Sequence, residues 1–363
     1  MIFKRKVYDK LIEWKTLAAG TSAVLLEGAR RIGKSTIVED FAKNEYDDYM
    51  ILDFARESID VKNNFVENMN DLDTFFRNLF LLKGKSLKGK NCVIIFDEVQ
   101  LFPQARQAIK YLVADGRYEY IETGSLISIR KNVKDILIPS EEYRIKMYPM
   151  DFEEFLWAVG YTDSQIGDMY AYMSAVKPLP KVLYEVMRAH FFDYMLVGGM
   201  PAIVRQFVVN NNFSGVAQMQ QQLLYDYEED ITKYAQGLDK GKIKNIYNHI
   251  PVFLGRDNKK FQITKVAHGA RSRDYVGTVE WLKDAGIVNV CYCLDQVSLP
   301  LKGNYNPRLF KLYYHDTGML VASLDAESQD DLRQNRNYGT YKGGLFENIV
   351  SEMLVKQGYQ LYF

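Results

Sequence analysis

The stretch Gly28-Ala29-Arg30-Arg31-Ile32-Gly33-Lys34-Ser35-Thr36 constrains this chain more than any other. Its G-x-x-x-x-G-K-[ST] spacing requires a buried strand immediately before it and a helix immediately after. "AVLLEG", residues 23 to 28, supplies the strand, and residues 34 to 44 have helical spacing. The glycines let the backbone curl until successive N–H groups face anionic oxygens, and the following helix aims its positive end at the same point. The segment therefore reads as a phosphate-binding loop, formed by Gly28, Ala29, Arg30, Arg31, Ile32, Gly33, Lys34, Ser35 and Thr36. Lys34 is expected to bridge the β- and γ-phosphates of a nucleotide, and Ser35 to ligate Mg²⁺. Backbone amides, Lys34 and Ser35 account for the phosphate chemistry. Arg30 and Arg31 are accordingly expected to point outward, towards carboxylates further along the chain.

Three more apolar runs follow, "YMILDF" (49 to 54), "CVIIFDE" (92 to 98) and "YEYIETGS" (118 to 125), with helical segments near 34 to 44, 70 to 82 and 104 to 114 between them. Strands that alternate with helices and are apolar on both faces predict a doubly wound parallel sheet. Asp97 and Glu98 then fall at the carboxyl end of a strand, the edge where such sheets bind ligands. Asp97 is expected to hold Mg²⁺, and Glu98 to polarise an attacking water. A hydroxyl of "ETGS", Thr123 or Ser125, is expected at the γ-phosphate or the water, with Ser125 taken as the catalytic one. Gln100 is a weaker candidate for the same place. Arg130 and Arg144 are candidates for a cationic contact to the γ-phosphate, in cis or from a neighbouring subunit.

From about Asp151 the pattern turns helical, and Gly198-Gly199 followed by Pro201 marks a stop. Further on, a short helix, a longer one from about Ser272 to Ala285, a strand after Gly286 and a return strand from Pro307 predict a winged-helix module. Its basic residues, Lys259, Lys260, Lys265, Arg271 and Arg273, precede a helix carrying Asp274, Glu280 and Asp284. Carboxylates on a groove-facing helix repel phosphates, so DNA binding is a weaker expectation than an internal lid or signalling role. Asp316 is expected to cap the helix beginning "DTGMLVA"; the rival reading has His315 reaching a bound ADP.

The 363 residues, with 46 Lys+Arg against 46 Asp+Glu, carry no net field that draws the chain to nucleic acid. The sequence contains neither a signal-peptide core nor an apolar run long enough to span a bilayer, so a cytoplasmic location without membrane contact is expected. Cys92, Cys291 and Cys293 lack companions for a zinc site and read as reduced structural residues. There is no N-K-x-D motif for guanine, which favours ATP.

Together with "YPMDFEEFL", "YMLVGGMPAIV", "KLYYHDTGML" and "GGLFENIVSEML", these motifs resemble a group of bacterial and archaeal AAA-like ATPases. Their phosphate loop reads G-x-R-R-x-G-K-[ST], and their C-terminal region resembles restriction nucleases. The resemblance implies an AAA-like ATPase domain at 1–150, a helical segment at 151–236, a winged helix at 237–325 and the start of a nuclease-like domain at 326–363. Glu347 is most like the first nuclease glutamate. The later Asp and Glu-x-Lys residues do not occur before Phe363, so DNA cleavage is not expected. The chain is thus expected to bind ATP and Mg²⁺ and to hydrolyse ATP slowly, moving its helical and winged-helix parts. The alternative is a nucleotide-gated switch, loaded with ATP or ADP, that acts through a protein partner or a homo-oligomer.

Overall fold

The computed structural model describes residues 1–125, 138–235, 237–275, 277–334 and 341–363. The chain divides into two compact units, Ile2–Tyr148 and Pro149–Phe363.

In the first unit, α1 (Lys6–Leu17) precedes β1 (Ala23–Gly28), α2 (Lys34–Glu45) and β2 (Asp48–Asp53). Helices α3 (Ile59–Glu67) and α4 (Leu72–Lys83) lead to β3 (Cys92–Asp97), α5 (Pro103–Asp115), β4 (Glu119–Ser125) and β5 (Glu142–Met147). The strands form one sheet in the order β2-β3-β4-β1-β5, and each neighbouring pair is parallel. Helix ends follow local chemistry. Ser58 accepts from Val61 N at 3.2 Å, Asp71 from Thr74 N at 3.2 Å, and Pro103 opens α5.

One face of the sheet packs Leu25, Leu52, Ile94 and Phe96 against Phe65 of α3, Phe75 of α4 and Ile109 of α5, all buried. Phe65 stacks edge-on with Phe75 and Phe96, at 4.9 and 5.6 Å between centroids. These contacts fix the strand ends. Gly28 lies level with both Ser125 and Met147, and Asp53 with Asp97, so one edge gathers the residues that the sequence reading singled out.

The same unit buries charge. Arg106 of α5 makes a two-pronged ion pair with Glu142 of β5, at 2.5 and 2.8 Å, and both side chains are nearly inaccessible. Nearby Glu122, in β4, is fully buried, and neither carboxylate oxygen has a hydrogen-bond partner among the described residues. Burial first, and then the Glu142 charge, push its pKa well above the ordinary carboxylate range.

The second unit begins with α6 (Phe152–Ala158), entered through a reciprocal capping box between Asp151 and Glu154. Helices α7 (Asp163–Ser174), α8 (Lys181–Val197), α9 (Pro201–Asn210), α10 (Val216–Tyr234) and α11 (Lys240–Leu254) follow. Then come α12 (Thr278–Asp284), β6 (Val288–Leu294), β7 (Tyr305–Tyr314), α13 (Thr317–Ala322), α14 (Ala326–Arg333), α15 (Tyr341–Lys356) and β8 (Leu361–Tyr362). The expected helix from Ser272 to Ala285 is broken into a 3₁₀ turn at Ser272–Tyr275 and the shorter α12, which starts after a left-handed Gly277 (φ 80). β6 and β7 form the expected antiparallel ribbon, and β8 joins it parallel to β6, giving the order β7-β6-β8. The segment expected to open a nuclease-like domain is therefore built into this unit. Leu345, Asn348, Ile349, Ser351 and Glu352 of α15 are buried there.

Glu122 gives the first unit a testable signature. A carboxyl whose folded pKa is raised contributes its full stability below the unfolded value of about 4.3, and that contribution is lost as pH rises through the folded value. In urea unfolding of the full chain, wild-type stability should fall relative to Glu122→Gln by up to about 1.4 kcal/mol per pH unit above about 5. Parallel pH dependences for the two proteins would contradict the burial argument.

Candidate functional site

The loop between β1 and α2 is held from below by close packing at Gly28. A Cβ on that residue would lie 2.4 Å from Met147 O and 2.6 Å from Ile32 Cδ1, so only glycine fits between β5 and the loop. Gly33, at φ 92, makes the left-handed turn that launches α2 directly behind the loop. Ala29 and Ile32 are buried, whereas Ser35 and Thr36, in the first turn of α2, are exposed. Arg31 is exposed and takes a left-handed backbone (φ 65). Arg30 is half-buried, and its charge reaches Lys34. The two arginines therefore differ in burial.

Lys34 is 6% exposed, with Nζ donating to Ala29 O at 2.7 Å and Gly28 O at 3.3 Å. The ammonium thus occupies the hollow of its own loop, against carbonyl oxygens. Burial lowers its pKa to about 8, against the opposing pull of Glu98 first and Asp97 second. An anion brought to this point would restore the charge that burial disfavours.

Across the edge, Ser35 Oγ donates to Asp97 Oδ1 at 2.8 Å. Thr123 Oγ1 donates to the same oxygen and accepts from Glu98 N at 3.3 Å. Strand β4 lies between β1 and β3, which is why a β4 hydroxyl reaches the Asp97 carboxylate. The hydroxyl in contact is Thr123; Ser125, also buried, lies level with Gly28 at the end of β4. Ser35 and Asp97 form an all-oxygen pair one hydrogen bond apart. Such a pair suits a hard cation that completes its coordination with phosphate oxygens and water. The described residues contain no group of three or more His, Cys, Asp or Glu that could hold a metal by themselves.

Glu98 sits just past β3 in a left-handed backbone conformation (φ 54, ψ 43), and Gln100 Nε2 donates to its Oε2. Arg144 pairs with Glu142 at 3.2 Å, three residues short of the strand end at Met147, an arrangement that engages its guanidinium away from the phosphate loop. Arg130 lies outside the described residues.

Arg5 escaped the sequence reading. It is 6% exposed, donating from Nη1 to Ile32 O at 3.0 Å and from Nη2 to Tyr148 O at 2.7 Å. It thereby ties the phosphate loop to the last residue of its unit. In the sequence it is one cation among several in "FKRKVYDK", and only tertiary packing distinguishes it.

The remaining candidates lie in the second unit. His315 is buried, its Nδ1 3.1 Å from Ile287 O and its Nε2 3.3 Å from Tyr227 Oη. Burial lowers its pKa to about 4, so it is a neutral core residue with both nitrogens engaged. Asp316 holds the N-cap position of α13 and accepts a 2.6 Å hydrogen bond from Gly199 N, while the Gly318 and Met319 amides of the first turn also favour its charged form. The residue expected as a local cap is thus also a cross-link to the Gly198-Gly199 turn. Glu347 contacts Lys311 (3.0 Å), Lys259 (3.4 Å) and Tyr313 Oη (2.7 Å). Against the effect of partial burial, these partners hold its carboxyl below the ordinary range. Lys260 lies over the Phe363 ring and Arg273 pairs with Asp274, so the expected basic cluster is divided among local partners. Cys92 and Cys291 are buried, Cys293 is half-buried, and none forms a disulfide.

The five-stranded parallel sheet with its helices is an α/β P-loop ATPase fold. Residues 20–156 match the family model described as AAA domain, and residues 188–330 match a domain of unknown function (DUF8612). Among solved structures, the chain is similar to the Walker-type ATPase PABY2304 of Pyrococcus abyssi. That TM-score is 0.51 at 14% identity, covering 89% of this chain and 96% of that one. It is more loosely similar to the Thermotoga maritima RuvB Holliday junction branch migration motor (TM-score 0.36, 11% identity, 91% and 95% covered). A similar likeness links it to AMPPCP-bound DnaA from Aquifex aeolicus (TM-score 0.34, 11% identity, 71% and 76% covered). No curated protein matches the chain. Residues 20–156 thus resemble an AAA domain, and no helix among the described residues is long and apolar enough to cross a membrane.

Proposed function

We propose that the chain binds ATP at the Gly28–Thr36 loop and hydrolyses it with Mg²⁺. The observation that carries this reading is Lys34, a buried ammonium set among loop carbonyls beside Asp97 and Glu98. The amides from Ala29 to Ser35 and the start of α2 would receive the phosphates, with Lys34 neutralising the terminal ones. Ser35 and Asp97 would hold Mg²⁺, which supplies further charge neutralisation on the phosphate oxygens. Glu98 would orient and deprotonate the attacking water, and Thr123 would fix Asp97 relative to Glu98. Ser125, buried at the end of the same strand, remains a proposed second hydroxyl at this edge.

Coupling to the rest of the chain is supported by Arg5, which joins the phosphate loop to Tyr148, after which the chain enters the helical unit. A loop displaced by the γ-phosphate would be transmitted to that exit point. Three free cysteines, two of them buried, suit a reducing cytoplasm. Retained ADP with negligible turnover would instead identify a nucleotide-gated switch, and stimulation by double-stranded DNA would identify a DNA-directed enzyme.

Lys34→Ala should abolish nucleotide binding or turnover. Glu98→Gln should bind MgATP normally and slow hydrolysis by about 10²-fold or more, measured as phosphate release. Unchanged turnover in both variants would reject the assignment. A pH experiment addresses Lys34 separately. Because its pKa in the free protein is about 8 and a bound phosphate raises it, binding takes up a proton above that pH. ATP affinity measured by calorimetry should therefore be flat below about pH 8 and fall by up to about tenfold per unit above it. The Lys34→Arg variant, charged throughout, should show no such fall.

A further inference from the structure

We infer that Gln100 is a positioning residue that acts through Glu98 and does not itself contact phosphate. The inference rests on the reading of Glu98 as the base that deprotonates water.

A non-glycine residue in the left-handed region is disfavoured and persists only where its surroundings impose it. Glu98 is such a residue, and three contacts impose its conformation. Its N–H donates to Thr123 Oγ1 at 3.3 Å, and its carbonyl accepts from Leu101 N at 2.9 Å, closing the 3₁₀ turn Val99–Leu101. The third is the Gln100 carboxamide, which that turn folds back onto the Glu98 carboxylate. Gln100 is only 4% exposed and Val99 is fully buried, so the turn is anchored in the core and cannot follow a moving ligand.

Held in this way, the Glu98 carboxylate acts on the charge of Lys34, the residue proposed to meet the terminal phosphates. Glutamine suits this task, since its N–H₂ group donates without adding a charge. The sequence expectation for Gln100, a direct contact with phosphate or water, is replaced by a role one residue removed from the chemistry.

The test uses the full chain with MgATP and compares Glu98→Gln, Gln100→Met and Gln100→Glu. Methionine keeps the length of the side chain and removes the donor. Glutamate keeps the shape and sets a like charge against Glu98. Gln100→Met should lower kcat about tenfold and leave KM within about twofold. Gln100→Glu, whose like charge repels the Glu98 carboxylate from its place, should lower kcat by at least about tenfold, again with KM within about twofold. If Gln100→Met does not fold, the split between kcat and KM in Gln100→Glu decides alone. Wild-type kcat in the Gln100 variants, with Glu98→Gln slow, would overturn the inference and leave Glu98 as the base. Unchanged turnover in Glu98→Gln with nucleotide bound would remove the base assignment, and the inference with it. A raised KM with unchanged kcat in Gln100→Met would mean that Gln100 binds nucleotide directly, which also overturns it.

Discussion

A single lysine buried inside its own loop sets the terms for the nucleotide-binding unit. Lys34 has exchanged water for two carbonyl oxygens, a trade that leaves its charge under-solvated and its pKa near 8. Such an ammonium is tolerated because Glu98 and Asp97 face it across the sheet edge. Those carboxylates hold their places because β3 and β1 are fixed on either side of β4 by the apolar core beneath them. Core packing, strand order and site electrostatics are therefore one problem. A shift of β3 by one residue would take Asp97 away from Ser35 and leave Lys34 without its counter-charges.

The connections around this lysine form a continuous series of polar contacts. Ser35 and Thr123 converge on one oxygen of Asp97, Thr123 continues to the Glu98 amide, and Gln100 closes on the Glu98 carboxylate. On the other side, Arg5 links the loop backbone at Ile32 to Tyr148. Each contact is modest alone, but in a partly dry site the members restrict one another, and the arrangement is set before a ligand arrives. That is what electrostatic catalysis of phosphoryl transfer requires of a protein.

Much of this was legible in the sequence for physical reasons. The phosphate loop is a local backbone device, so its residues are contiguous, and buried parallel strands announce themselves as continuous apolar runs. The strands at 23–28 and 92–97 follow directly. β5 did not, because "EYRIKM" is an edge strand with half its side chains in water, and its charged residues mask it. Arg5 and Gln100 were under-read for another reason: their importance comes from partners 27 residues away and from a turn geometry, neither of which leaves a periodic mark. Asp316 shows the same limit. Its place before α13 suggests a local cap, but not its bond to Gly199, 117 residues earlier.

The most direct measurement is a structure of the full chain with a non-hydrolysable ATP analogue and Mg²⁺. The account predicts that Lys34 Nζ leaves the Ala29 carbonyl for phosphate oxygens, that Ser35 Oγ exchanges Asp97 for the metal, and that Glu98 stays on Gln100 beside the terminal phosphate. A nucleotide bound elsewhere, with Lys34 still on Ala29 O and Ser35 still on Asp97, would contradict it.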